Sequence, residues 1–349
     1  MKSTSVSTYA ISQAMRQSLL RAQSELTKAN KEATTWRVAD VGLALGARTG
    51  QSVSFSRDLE RLRNIVDTNS LVAERLSSTQ SALNGIVGFA QSFQSTLFTA
   101  ESGGVTPTLM RTTAQGVLQS LTSTLNSSFN GEQLFAGINT DVKPINDFDA
   151  AGSLNKAAFD AGFLSYFGFA QSDPAAANIT AAQMDDFITT VVEPQFLGTG
   201  WQTNWSNATD EGITSRIALN ETVETSVSAN ETAFRKLAMA AATIAGMGDA
   251  ALNDAAWGAM VSRAVGLVGE ATVGLANLTA KTGIAENRVQ NASDRISMQA
   301  DLFELSVKDM EGVDPYEAST RVDALLQQIE TSYALTARIQ ELSLVKFLA

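Results

Sequence analysis

Carboxylates and glycines are the residues of this chain whose types and spacing could do chemistry. Asp147-Phe148-Asp149-Ala150-Ala151-Gly152 opens like a calcium loop, with acids at its first and third positions and glycine at its sixth. Its twelfth position is Ala158, where a glutamate would hold the ion through both oxygens, so no metal is expected there. Gly42, Gly46 and Gly50 are spaced like a phosphate loop, but no Gly-Lys-Ser/Thr ending follows, and a packed turn region is the reading. Asp185-Asp186 places two acids side by side on a helix, where neighbours do not share a face, so both are read as solvated. The Asn-X-Ser/Thr triplets at Asn178, Asn204, Asn207, Asn220, Asn230 and Asn277 follow from abundant Asn, Ser and Thr. Histidine and cysteine are absent. That removes the commonest general base and metal ligand, the thiol nucleophile, thiolate metal sites and disulfides together. Asp, Glu, Lys and Tyr remain, yet nothing assembles a nucleophile, a base and an orienting group. The chain is read as a non-enzyme with no catalytic residue, no metal and no cofactor.

The elements that would position such residues are more informative than the residues. In 261–310 the core-type positions step by four and three without a break: Val261, Val265, Val268, Thr272, Leu275, Thr279, Thr282, Glu286, Val289, Ser293, Ile296, Ala300, Phe303, Val307 and Met310. That is about seven heptads, well beyond the three or four that argue for a coiled coil. A helix of this length runs to roughly 75 Å. A globule of this chain's length is only about 50 Å across, so a rod is expected, at least in part. Five seam positions are polar, and polar core residues usually fix register at a cost in stability.

The chain has 349 residues, 44% of them hydrophobic and 17% charged, enough for two or three domains. A net charge of −11 opposes binding to a nucleic-acid backbone, and no basic stripe with interleaved aromatics offsets it. No run of 18 or more apolar residues is present, so no membrane insertion is expected. Residues 1–10 are rich in Ser and Thr and lack an apolar core of signal-peptide length. A dedicated export apparatus would not require one.

Taken in order, a first helix is expected over 9–33, where Met15, Leu19, Ala22, Leu26, Ala29 and Ala33 form one stripe. Residues 35–55 read as an extended connector. A second long helix covers 56–101, with Val72, Leu76, Thr79, Leu83, Ile86, Ala90, Phe93 and Leu97 in three-four alternation, and ends at Gly103, Gly104 and Pro107. A third covers 108–129, followed by the turn signal Asn130-Gly131 and a short strand and turn over 133–140. Residues 141–230 lose the heptad and carry Pro144, Pro174, Pro194, Trp201 and Trp205. Thr180 is expected to cap a helix over 181–192 with Pro194 just beyond it, and a hairpin is expected within 213–227. Helix resumes over 231–245. The last helix, 315–348, starts with Pro315 in its first turn and carries Val322, Leu325, Ile329 and Tyr333 on one face, with Leu335, Ile339 and Leu342 on a neighbouring one. The fold class is mainly α: an elongated coiled-coil rod built from N- and C-terminal segments, with a smaller inserted α/β domain. The expected divisions are 1–35, 36–140, 141–230, 231–312 and 313–349, with the insert outermost and its deletion leaving assembly intact.

This order resembles the bacterial flagellin family, in which N- and C-terminal segments pair as helices around a variable middle. Asn130, Gly131, Phe135, Ala136, Gly137, Thr140 and Pro144 match a pattern that closes the first rod region in the hook–filament junction branch of that family. Asn287-Arg288-Val289, Val313-Asp314 with Glu317-Ala318, and Leu342-Ser343-Leu344 are similar to its C-terminal signatures. The connector departs from the family: Arg37-Val38 and Asp40 remain, while the acidic pair and proline are missing. The resemblance implies a structural subunit of the bacterial flagellum, at the hook–filament junction, with filament flagellin as the alternative. A cytoplasmic coiled-coil adaptor is the alternative outside the family. It implies an extracellular place on the flagellum, export through the flagellar type III apparatus, and self-association with other axial proteins, namely a neighbouring hook-associated protein and flagellin. It also implies an export chaperone at the C-terminal end. The expected subunit interface is Met15, Leu19, Ala22, Leu26, Val322, Leu325, Ile329, Tyr333, Ile339 and Leu342.

Overall fold

A computed structural model describes residues 8–247 and 250–348 of the chain, the side chains of residues 8–9 and 339–348 excepted. Its helices are α1 (Thr8–Thr35), α2 (Val41–Leu45), α3 (Thr49–Glu101), α4 (Pro107–Leu125), α5 (Leu154–Phe167), α6 (Ala181–Phe187), α7 (Glu193–Leu197), α8 (Thr232–Gly246), α9 (Asp254–Glu311) and α10 (Pro315–Leu348). Two antiparallel hairpins interrupt them, β1 (Ser128–Phe129) with β2 (Glu132–Gln133), and β3 (Thr214–Ala218) with β4 (Glu221–Glu224). The protein is mainly α, with a small mixed region between its long helices.

The two heptad stretches are the two longest helices. α3 has 53 residues and α9 has 58, so they run to about 80 and 87 Å. Val261, Val268, Leu275, Val289 and Val307 of the α9 seam are buried. The polar seam positions are satisfied locally: Thr272, Thr282 and Ser293 each donate to the carbonyl four residues back. Ser293 also accepts from Asn69 of α3 at 3.1 Å, and the same amide donates to Ile217 of β3 at 2.9 Å. A polar pair thus fixes the helix register and seats a hairpin on it.

Helix starts follow from side chains that satisfy first-turn N–H groups. Thr106 accepts from Leu109 ahead of Pro107, Ser153 accepts from Lys156, and Asn253 accepts from Ala255 and Ala256. Thr180 and Gln183 form a reciprocal capping box.

Two compact units result: residues 1–64 with 296–349, and residues 65–295. In the second, Leu83, Phe93 and Leu97 of α3, Met110 and Leu118 of α4, Phe234 and Leu237 of α8, and Val268 and Leu275 of α9 share one core with Phe163, Phe187 and Phe196. Trp201 stacks on Trp205 at 5.6 Å and 8°, and Trp205 on Phe148 at 5.4 Å and 13°. The middle segment is therefore bound into the core of its neighbours, and the expectation that it can be removed without harm is revised. The β3–β4 hairpin makes a second, smaller cluster, with Ile217 and Val223 against Leu76, Val289 and Ala292.

Three sequence expectations need correction. Residues 35–55 are mostly helical, because Asp40 caps α2 by accepting from Leu43 and a 3-10 turn, Gly46–Arg48, leads into α3. Only the stretch around Arg37, bridged to Gly312, is extended. Pro194 does not stop its helix. A π-turn at Ile188–Val192, closed by Glu193 N–H to Ile188 O, shifts the pattern, and the proline falls on the first turn of α7, where its missing N–H costs nothing. Finally, α9 contains an 18-residue window of mean hydropathy 1.3, apolar enough by length and composition to cross a membrane. Alanine, glycine and threonine dilute its apolar run without lowering the average below that mark. The window carries buried core positions, so it also passes as a core helix.

Candidate assembly surface

α1 and α10 pack along each other. Glu32 pairs with Arg321 and Gln23 donates to Tyr333 Oη at 3.1 Å, an order that makes the pair antiparallel. Ala22, Ala29 and Ile329 are buried, while Met15, Leu19, Leu26, Val322 and Leu325 are half-buried. Tyr333 is exposed, as are Leu20, Leu326 and Leu335. The side chains of Ile339 and Leu342 lie outside the described residues. The expected stripe is thus partly used inside the chain, because each terminal helix is the other's partner. What remains bare is Tyr333 with its apolar neighbours.

Where α1 ends, the chain is clasped to the end of α9. Val38 N–H donates to Glu311 O at 2.8 Å and Val313 N–H donates to Trp36 O at 3.1 Å, around the Arg37–Gly312 bridge. The buried Glu311 carboxylate accepts from the buried Ser52 hydroxyl and lies 3.6 Å from the Arg37 guanidinium. Phe55 of α3 and Phe303 of α9 meet at 5.4 Å. Ser52, Glu311 and Trp36 carried no signal in the sequence, since their roles arise from long-range pairing.

The seven motif positions form one connected device. Asn130 and Gly131 take φ of +52° and +88°, the left-handed pair of a two-residue hairpin turn. Arg75 of α3 holds that hairpin, donating to Glu132 at 2.6 Å and to Gln133 O at 2.9 Å. Phe135 and Ala136 are buried, and Phe135 meets Phe234 of α8 edge-on at 5.9 Å. Phe135 O accepts from Ala229 at 2.7 Å and Ala136 O from Thr209 at 3.1 Å. Gly137 takes φ +67°, and a Cβ there would lie 2.6 Å from Thr209 O and 2.7 Å from Glu211 O, so no other residue fits. Thr140 O accepts from Gln133 at 2.7 Å and Pro144 O from Asn207 at 2.8 Å. The strip ties α3 and α8 to residues 207–229.

The C-terminal signature residues are equally structural. Arg288 and Arg295 of α9 both bind Glu221 of β4, at 3.1 and 2.9 Å, and the Arg288 bond is the main cause holding the Glu221 carboxyl below its usual range. Lys281 donates to Glu224 at 2.9 Å, which raises the lysine's pKa. Ala318 is buried and Glu317 pairs with Arg321.

The groups considered for chemistry serve the fold. Asp147 accepts from Asp149 N–H, a local turn, and Asp186 accepts from Tyr166 Oη. Asn230 is a buried hub, accepting from Trp201 Nε1 and Ser206 while donating to Ala208 O and Asp210. A cleft of about 650 Å³ between α6, α7, α8 and α9 is lined by charges already spoken for, Arg263 with Glu193 and Lys236 with Glu270.

A long helix from each end of the chain, a clasp between their termini and a glycine-locked hairpin strip define a flagellin-type subunit. The N-terminal helical region of bacterial flagellin matches residues 6–140, and its C-terminal helical region matches residues 265–348. Together they span well over half of the chain, which belongs to the bacterial flagellin family. No curated protein matches. A solved structure provisionally assigned as a flagellar hook-associated protein of Vibrio parahaemolyticus is similar at 11% identity and a TM-score of 0.52, covering 76% of this chain and 97% of that one. The protein is accordingly a non-enzymatic structural subunit of the bacterial flagellum, extracellular, and self-assembling with other axial proteins.

Proposed function

We propose that this subunit forms the junction between hook and filament and is required for filament attachment. The observation that carries this reading is the strip from Asn130 to Pro144, in which every position of the junction-type pattern is present and each does structural work. The hook-associated neighbour supports it at the level of the fold. The assembly contacts are the terminal segments 1–35 and 313–349, through the faces of Met15, Leu19, Leu26, Tyr333, Ile339 and Leu342. Residues 36–140 and 231–312 supply the rod, and 141–230 face outward. Export proceeds through the flagellar type III apparatus, with a chaperone covering the sticky end at Leu342, Leu344, Phe347 and Leu348.

A strain lacking the gene is expected to make hooks and shed flagellin as monomers into the medium. Hooks with intact junctions and a missing or shortened filament would instead make this chain a filament flagellin. Electron microscopy of the mutant with blotting of the medium separates the two, and full-length filaments would remove both.

A further inference from the structure

Trp36 follows the last residue of α1 with φ +58°, in the left-handed region. Glycine enters that region freely, whereas a bulky side chain suffers a population penalty of roughly five- to thirtyfold. The backbone accounts for the turn: Trp36 N–H donates to Glu32 O at 2.8 Å, and its carbonyl accepts from Val313. It does not account for an indole, because glycine would make both bonds without the penalty. The indole is 62% exposed, so the fold of one chain gains little from it. Leu43, in the next helix, is 79% exposed. Tyr316, three residues beyond the Val313 that bonds Trp36, is 87% exposed. More than half of the large exposed apolar side chains fall in this unit, which is about a third of the chain.

The chain's own ends do not reach this patch. α1 puts about 42 Å between Thr8 and Trp36, and α10 about 48 Å between Tyr316 and Leu348. Seven fully extended residues before Thr8 span only about 25 Å. A second copy can cover it, and charge favours that approach: two chains of net charge −11 repel across most surfaces, and uncharged rings are where they can meet.

We propose that Trp36, with Leu43 and Tyr316 beside it, is an anchor through which one subunit grips a second copy of this chain, and that its left-handed backbone is strain kept in order to present the ring. This rests on reading the chain as a self-assembling subunit. The test uses the full-length protein, with sedimentation across a concentration series and urea unfolding of the monomer. Trp36→Gly is expected to unfold at or above the wild-type midpoint while self-associating at least about thirtyfold more weakly, the loss typical of an aromatic anchor. Trp36→Phe is expected to associate within about threefold of wild type. In the wild type, the acrylamide-accessible emission of Trp36 is expected to fall on association, since Trp201 and Trp205 are already buried. A Trp36→Gly chain that associates normally, or whose monomer is destabilised, overturns the anchor, as does unchanged emission. A wild type that stays monomeric throughout removes the self-assembly reading as well, which keeps the two failures distinct.

Discussion

Residues 65–295 and the unit formed by 1–64 with 296–349 bury their helices by opposite means. The first closes around large rings: Trp201, Trp205, Phe93, Phe135, Phe148, Phe159, Phe163, Phe187, Phe196 and Phe234 are all fully buried. In the second, the α1–α10 contact is built on Ala22, Ala29 and Ile329, and the large side chains Leu20, Trp36, Leu326, Tyr333 and Leu335 face outward. A buried aromatic contributes far more transfer free energy than an alanine methyl. One unit therefore has a core sufficient for itself, and the other keeps apolar surface in reserve for neighbours.

Amide hydrogen exchange on the isolated chain should show this contrast at its largest. Most helix stability comes from packing, so α1 and α10 are expected to exchange fast. Protection should concentrate in 59–97 and 261–310, by about a thousandfold or more. Strong protection of α1 and α10 in a demonstrated monomer would end the idea that they are completed by neighbouring subunits.

Substitution sharpens the same comparison. Trp205→Ala removes a ring stacked between Trp201 and Phe148 and is expected to cost about 3–5 kcal/mol in urea unfolding. Ile329→Ala in the α1–α10 contact should leave the main unfolding transition in place. Equal effects would erase the distinction. Gly137→Ala is expected to cost about 2–4 kcal/mol, because a Cβ would press on two carbonyls and φ is positive as well. A near-neutral result would show that the strip tolerates rearrangement.

Legibility in the sequence followed the range of the interaction. The long helices, the Asn130-Gly131 turn, the Thr180 cap and the Pro315 start were readable because periodicity and capping act over a few residues. The π-turn that carries the chain past Pro194 and the Arg37–Gly312 bridge were not, since each depends on partners far away or on bonding outside the usual pattern. The middle segment was recognisable as different in character. That its rings complete a core with α3, α4, α8 and α9 had no signal, because clustered aromatics do not name their partners. The motif was legible as a resemblance, and only coordinates give its reason: Gly137 passes too close to Thr209 and Glu211 for any side chain.

The smallest expected effect lies at the start of α8. Glu231 is half-buried, and burial is the main cause that raises its pKa, with Glu224 and Asp210 pushing the same way and Lys281 opposing them. Glu311 in the other unit is a buried carboxylate with Ser52 and Arg37 to compensate it. Lys281, by contrast, is hydrogen-bonded to Glu224 and acts on Glu231 only through its charge. A carboxyl whose pKa is higher folded than unfolded contributes stability that is full below the unfolded value and is lost as pH rises through the folded one. At neutral pH the charged Glu231 therefore opposes folding. Glu231→Gln should be more stable than wild type at pH 7, by only a few tenths of a kcal/mol once solvent screening is allowed for. That advantage should shrink to nothing as pH falls through the carboxylate range. Urea midpoints of the two proteins measured from pH 4 to pH 8 decide it. If the curves run parallel, with a constant gap or none, the strain on Glu231 is not electrostatic, and the contrast between a compensated and an uncompensated buried acid fails.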